Sequence, residues 1–88
     1  MKYKELTQNI SGNLKTLVQD SPDLMKSFNQ LSQVAMREGV VDPKTKEMIA
    51  LAIGVAARCD GCIGFHVRTL VKMGITLQEL EEVLGIAS

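Results

Sequence analysis

Two consecutive stretches decide the fold: Met48-Ile-Ala-Leu-Ala-Ile-Gly-Val-Ala-Ala57, then Arg58-Cys-Asp-Gly-Cys-Ile-Gly-Phe-His-Val-Arg-Thr-Leu-Val-Lys-Met-Gly74. The first is apolar on every helical face, and ten residues are too few to cross a bilayer. A helix with no polar face must be covered on all sides, which a chain of 88 residues does with difficulty. The second carries both cysteines, Cys59 and Cys62, and the only histidine, His66. Asp60 and Gly61 suit a helix entry and Gly74 suits the residue past its end, so the spacing predicts a helix over about 61–73.

Thiols at a helix N-terminus have a distinct chemistry. Unsatisfied N–H groups and the positive end of the helix dipole favour thiolate over thiol. Cysteines three apart on a first turn lie roughly 5–6 Å apart at Cα, which a disulfide spans. His66 follows Cys62 by four residues and shares its helix face. The adjacency selects Cys62 as the activated thiol and Cys59 as the partner that closes a disulfide onto it. Buried cysteines also serve as small core residues. A zinc site would need a fourth ligand beyond these three. Haem attachment is excluded, because Ile63 stands where that motif needs histidine.

Working outward from this centre, Asp42-Pro43 is a cap-then-proline signal that opens the apolar helix. Taken alone, Glu47 reads as a solvated first-turn residue between Lys46 and the apolar run. Upstream, Tyr3, Leu6, Ile10, Leu14, Leu17 and Val18 recur every three or four residues, an amphipathic helix over 2–19 that Asp20-Ser21-Pro22 stops. Ser21 caps a second helix whose buried stripe is Leu24, Phe28, Leu31, Val34 and Ala35, and which Gly39 ends. Downstream, Thr76-x-x-Glu79 is a capping box for a short fifth helix ending near Gly85. No segment alternates with period two, so residues 1–88 form one all-α domain of about five helices around a buried central hairpin.

Composition narrows the function. Ten basic and ten acidic residues give zero net charge, and Tyr3, Phe28 and Phe65 are the only aromatics, so a nucleic-acid or anionic-membrane surface is not expected. Met1 to Val18 has no central apolar run of a signal peptide, and two cysteines in an unexported chain read as catalytic or metal-binding. A cytoplasmic location follows as an expectation.

From Pro43-Lys-x-Lys-Glu47 through the apolar helix to Cys59-x-x-Cys62-x-x-x-His66 and Lys72-x-Gly74, the sequence resembles the alkyl hydroperoxide reductase D (AhpD-like) and carboxymuconolactone decarboxylase family, over roughly residues 24–84. The resemblance implies a thiol-dependent peroxidase that works without a cofactor. Cys62 would attack the hydroperoxide, Cys59 would resolve to the disulfide, and Glu47 and His66 would relay the proton. It also implies a dithiol reductant of lipoyl or thioredoxin type and a homo-oligomer, trimer or hexamer. The family's cofactor-free lactone decarboxylases, which do not rely on a cysteine pair, are the alternative enzyme class. A zinc-bound or oligomeric binding module is the non-enzymatic alternative. Where the best-known alkylhydroperoxidases carry a further histidine between the cysteines, this chain has Gly61. Glu47 lies about 17 Å of helix rise from the cysteine motif, so only a particular crossing of the third and fourth helices brings it near His66.

Overall fold

The computed structural model describes residues 2–88, folded as five helices: α1 Tyr3–Asp20, α2 Pro22–Met36, α3 Pro43–Ala56, α4 Asp60–Lys72 and α5 Leu77–Ala87. The described residues contain no strand. Helix α3 is central, packing on α4 along one side and α5 along another; α1 lies across the far side of α4, and α2 extends from α1.

The helix ends follow local chemistry. Asp42 caps α3, its carboxylate accepting from the Thr45 N–H at 2.7 Å, with Pro43 in the first turn. Hydrogen bonding by the Thr45 side chain, and then by its backbone N–H, lowers the Asp42 pKa from its ordinary value. Thr76 and Glu79 form the expected capping box of α5. Lys44 also reaches Glu79 at 3.0 Å, tying the start of α3 to the start of α5. Ser21 occupies the N-cap of α2, but its side chain makes no capping hydrogen bond. Helix α2 stops at Met36, short of Gly39, because the Lys46 ammonium reaches back to the carbonyls of Ala35 and Arg37 at 2.9 and 2.7 Å. Those last-turn acceptors need no further helix once Lys46 satisfies them.

The turn between α3 and α4 uses a residue that sequence rules overlook. Arg58 has φ of 56°, in the left-handed region usually held by glycine. Its N–H donates to the Val55 carbonyl at 3.0 Å, and the Cys59 N–H donates to the Gly54 carbonyl at 2.9 Å. This is a Schellman closure. It reverses the chain within three residues and sets α4 antiparallel to α3.

Close approach of these helices depends on Gly54, which is buried. A Cβ there would stand 3.0 Å from the Cys62 Cβ. Leu51 of α3 and Leu70 of α4 are fully buried. Elsewhere the apolar stripes are uncovered within one chain. The α2 stripe expected in the core is exposed: Leu24 64%, Phe28 60% and Leu31 68%, with Met25 the buried residue of that helix. The apolar helix α3 is likewise open on one side, where Ile53 is 64% exposed. The physical reason is geometric: α2 touches the body mainly through α1 and only slightly through α3, which leaves these side chains uncovered. The accessible surface of 6606 Å² exceeds the roughly 5,100 Å² expected for a compact monomer of this mass. The radius of gyration of 14.0 Å likewise exceeds the roughly 12 Å of a compact chain of this length.

Two glycines in helices separate packing from propensity. At Gly54, Val should destabilise by about 1–3 kcal/mol, because its side chain forces α3 and α4 apart. At Gly12 a Cβ would meet nothing within 4 Å, so Gly12→Ala should stabilise by up to about 1 kcal/mol. Chemical denaturation of both variants reads the opposite signs.

Candidate active site

Four side chains singled out in the sequence come from α3 and α4. Cys59 is the N-cap of α4, one residue before the expected helix entry, and its Sγ accepts from the Cys62 N–H at 3.2 Å. Sulfur thus takes the place of the usual oxygen cap. Cys59 and Cys62 are joined as a disulfide, with Cα atoms 5.2 Å apart.

Glu47 is 9% exposed and its Oε2 lies 2.7 Å from Nδ1 of His66. The solvated-residue reading of Glu47 is thereby overturned. The antiparallel turn explains how the two meet. On α3, Glu47 and Gly54 lie two turns apart on one face, about 10 Å along the axis; on α4, Cys62 and His66 lie about 6 Å apart. With Gly54 set against Cys62, Glu47 and His66 are left a few ångströms out of level, a gap that two long side chains close. A carboxylate accepting from Nδ1 holds the proton there and leaves Nε2 of a neutral imidazole as the acceptor, the arrangement of an oriented general base. His66, half-buried, has Glu47 as its hydrogen-bond partner among the described residues.

Gly61, between the cysteines, faces α1. A Cβ at Gly61 would stand 2.6 Å from Cδ1 of Ile10, and one at Gly64 would stand 2.8 Å from Cγ2 of Thr7. Helix α1 therefore fills the space that a side chain between the cysteines would need. Sequence reasoning did not find this contact, since no local signal links Ile10 to Gly61. Among the described residues, no three His, Cys, Asp or Glu side chains are grouped as a metal site requires. Among the described residues, no helix is long and apolar enough to cross a membrane.

Fold and site together define a small helical protein with a cysteine pair at the start of a helix, an imidazole one turn along that helix, and a carboxylate from the preceding helix bonded to it. The model of the carboxymuconolactone decarboxylase family matches residues 22–88, and the chain belongs to that family. The crystal structure of apo-lpg0406, a carboxymuconolactone decarboxylase family protein from Legionella pneumophila, superposes with a TM-score of 0.94 at 46% identity, covering 97% of this chain and 76% of that one. An uncharacterized protein of Haemophilus influenzae is 34% identical over 64 residues, 73% of this chain and 57% of its own length. An uncharacterized protein of Cupriavidus necator is 32% identical over 77 residues, 88% of this chain and 68% of its own length. The chain thus spans a little over half to two thirds of the curated relatives it matches. Helix α1 precedes the residues matched by the family model.

Removing one member of the buried pair should be costly. His66→Phe leaves the Glu47 carboxylate buried without a partner and should lower stability by about 1–3 kcal/mol. Glu47→Gln keeps an acceptor for the Nδ1–H and should cost less. Urea denaturation of the two variants gives the order.

Proposed function

We propose that the protein is a thiol-dependent peroxidase of the alkylhydroperoxidase kind, cycling Cys59 and Cys62 between dithiol and disulfide. The observation that carries this reading is the Cys59–Cys62 disulfide at the start of α4, one turn from an imidazole held by Glu47 at 2.7 Å. A structural disulfide between residues three apart closes too small a loop to stabilise the fold much, which favours a redox use. Membership of the family is compatible with this activity.

In the cycle, His66 accepts the proton of the Cys62 thiol. The thiolate attacks the terminal oxygen of a hydroperoxide, the O–O bond breaks, and Cys62 becomes a sulfenic acid. The departing alkoxide takes the proton from His66 and leaves as the alcohol. The Cys59 thiol then displaces water from the sulfenic acid, forming the disulfide. A dithiol donor of lipoyl or thioredoxin type reduces it by two successive exchanges and is itself oxidised. One hydroperoxide and one dithiol yield one alcohol, one water and one oxidised donor.

A cysteine-independent lyase reaction gains no support from this arrangement, since its chemistry would leave the disulfide and the capping sulfur without a role. Treatment of the reduced protein with one equivalent of peroxide should remove two free thiols per chain, read by alkylation and mass spectrometry. His66→Ala should slow that loss by about 10²–10⁴-fold, and Cys59→Ser should stop at a sulfenic acid that dimedone traps. Thiols that persist after peroxide would refute the mechanism.

We also propose a homo-oligomer, a trimer or hexamer, as the functional form. Roughly 1,500 Å² of surface beyond the expected value is comparable with what a stable interface buries. The exposed stripe of Leu24, Phe28 and Leu31 on α2 supplies apolar area for it. Sedimentation equilibrium should give a multiple of 9.6 kDa, and Phe28→Asp should shift the protein toward monomer; a wild-type monomer at micromolar concentration would refute the assembly.

A further inference from the structure

A groove lies on the far side of α4 from α3, between α4 and the first two turns of α1. Its volume is about 520 Å³, within the roughly 300–1,000 Å³ typical of small-molecule sites. Apart from the Gln8 amide, its uncharged walls are mainly carbon: the Tyr3 ring and the Thr7 side chain from α1, Ile63 and Val67 from α4. Thr7 offers the groove no free hydroxyl proton, because that group donates to the Lys4 carbonyl at 3.0 Å. Two cations, Lys4 and Arg68, also line the groove, and no acidic residue does. Neither forms an ion pair with a described residue. The Arg68 guanidinium rests 5.1 Å from the Phe65 ring centroid, which leaves its N–H donors free. In a chain with ten acidic residues and zero net charge, an apolar groove with two uncompensated cations and no acid has a specific complement.

We propose that this groove binds a monomeric amphipathic anion, a single alkyl chain ending in a carboxylate, with the chain along Tyr3, Ile63 and Val67 and the carboxylate between Lys4 and Arg68. Burial of the chain supplies affinity and the two cations select the charged end. Binding at the groove stands apart from the thiol chemistry, because no cysteine lines it.

Titration calorimetry on the full chain, with hexanoate, octanoate and decanoate below their aggregation limits, tests this directly. Saturable binding of one ligand per chain is expected, with affinity rising about fourfold per added methylene until the groove is filled. Octanol should bind more weakly than octanoate by about two- to thirtyfold, as two surface charge pairs contribute. The exposed double substitution Lys4→Gln with Arg68→Gln should erase that difference and leave octanol binding unchanged. Val67→Trp, with its helicity checked by circular dichroism, should abolish binding of both; if it fails to fold, the double variant decides. Absence of saturable binding at millimolar ligand, equal affinity for octanoate and octanol, or full binding by a folded Val67→Trp protein would each overturn the assignment.

Discussion

Contact between Gly54 and Cys62 is the constraint on which the rest of the molecule depends. Because position 54 has no side chain, the backbone of α3 lies against the first turn of α4. That proximity fixes the crossing of the two helices, and the crossing brings Glu47 to His66. The same glycine accepts the hydrogen bond from the Cys59 N–H that closes the turn. One residue thus governs the turn, the helix packing and the alignment of a carboxylate with an imidazole. The left-handed Arg58 works within the same device: about 1–2 kcal/mol of backbone strain is tolerated because the turn it makes is over-determined by the packing on either side.

A site assembled this way is pre-organised on two helices and the short turn between them, with Glu47, Cys62 and His66 on the helices and Cys59 at the cap of α4. The cysteine pair begins α4, where N–H groups converge, and the sulfur of Cys59 already accepts one of them. The general-base candidate, His66, is oriented by the Glu47 carboxylate. On the opposite face, Gly61 and Gly64 form a notch that receives α1 through Ile10 and Thr7. Helix α4 is consequently held on two sides, by α3 at the sulfur-bearing face and by α1 at the glycine face. The groove between α1 and α4 is a by-product of this second contact.

Surface accounting adds a different constraint. The fully buried side chains Leu51 and Leu70 form a very small core for 88 residues. Large apolar side chains on α2 and on the outer face of α3 are instead presented to solvent. Hydrophobic burial is the main favourable term in folding, so the single chain leaves much of its available stabilisation unrealised, and association is the means by which such stripes are ordinarily covered.

By itself the sequence determined the five helices, the proline and capping-box starts of α3 and α5, the cysteine pair at a helix entry and the family resemblance. Each of these depends on neighbours within a turn or two, where spacing and residue chemistry are sufficient. Helix periodicity also located the apolar stripe of α2, but periodicity reports only that a face is apolar and not what lies against it, so the stripe read as core is exposed. The end of α2 was misplaced because its carbonyls are satisfied by Lys46, from another helix. Glu47 looked like a surface residue on its own; resemblance suggested its place, and only the tertiary structure put it beside His66. Arg58 escaped notice because a left-handed turn there is imposed by the packing of α3 on α4, against the local preference of the residue. Ile10 at Gly61 was likewise illegible, since the two are joined by no local pattern. Through-space contacts between distant segments depend on how helices cross, and a helix crossing is set by steric fit that no single segment contains.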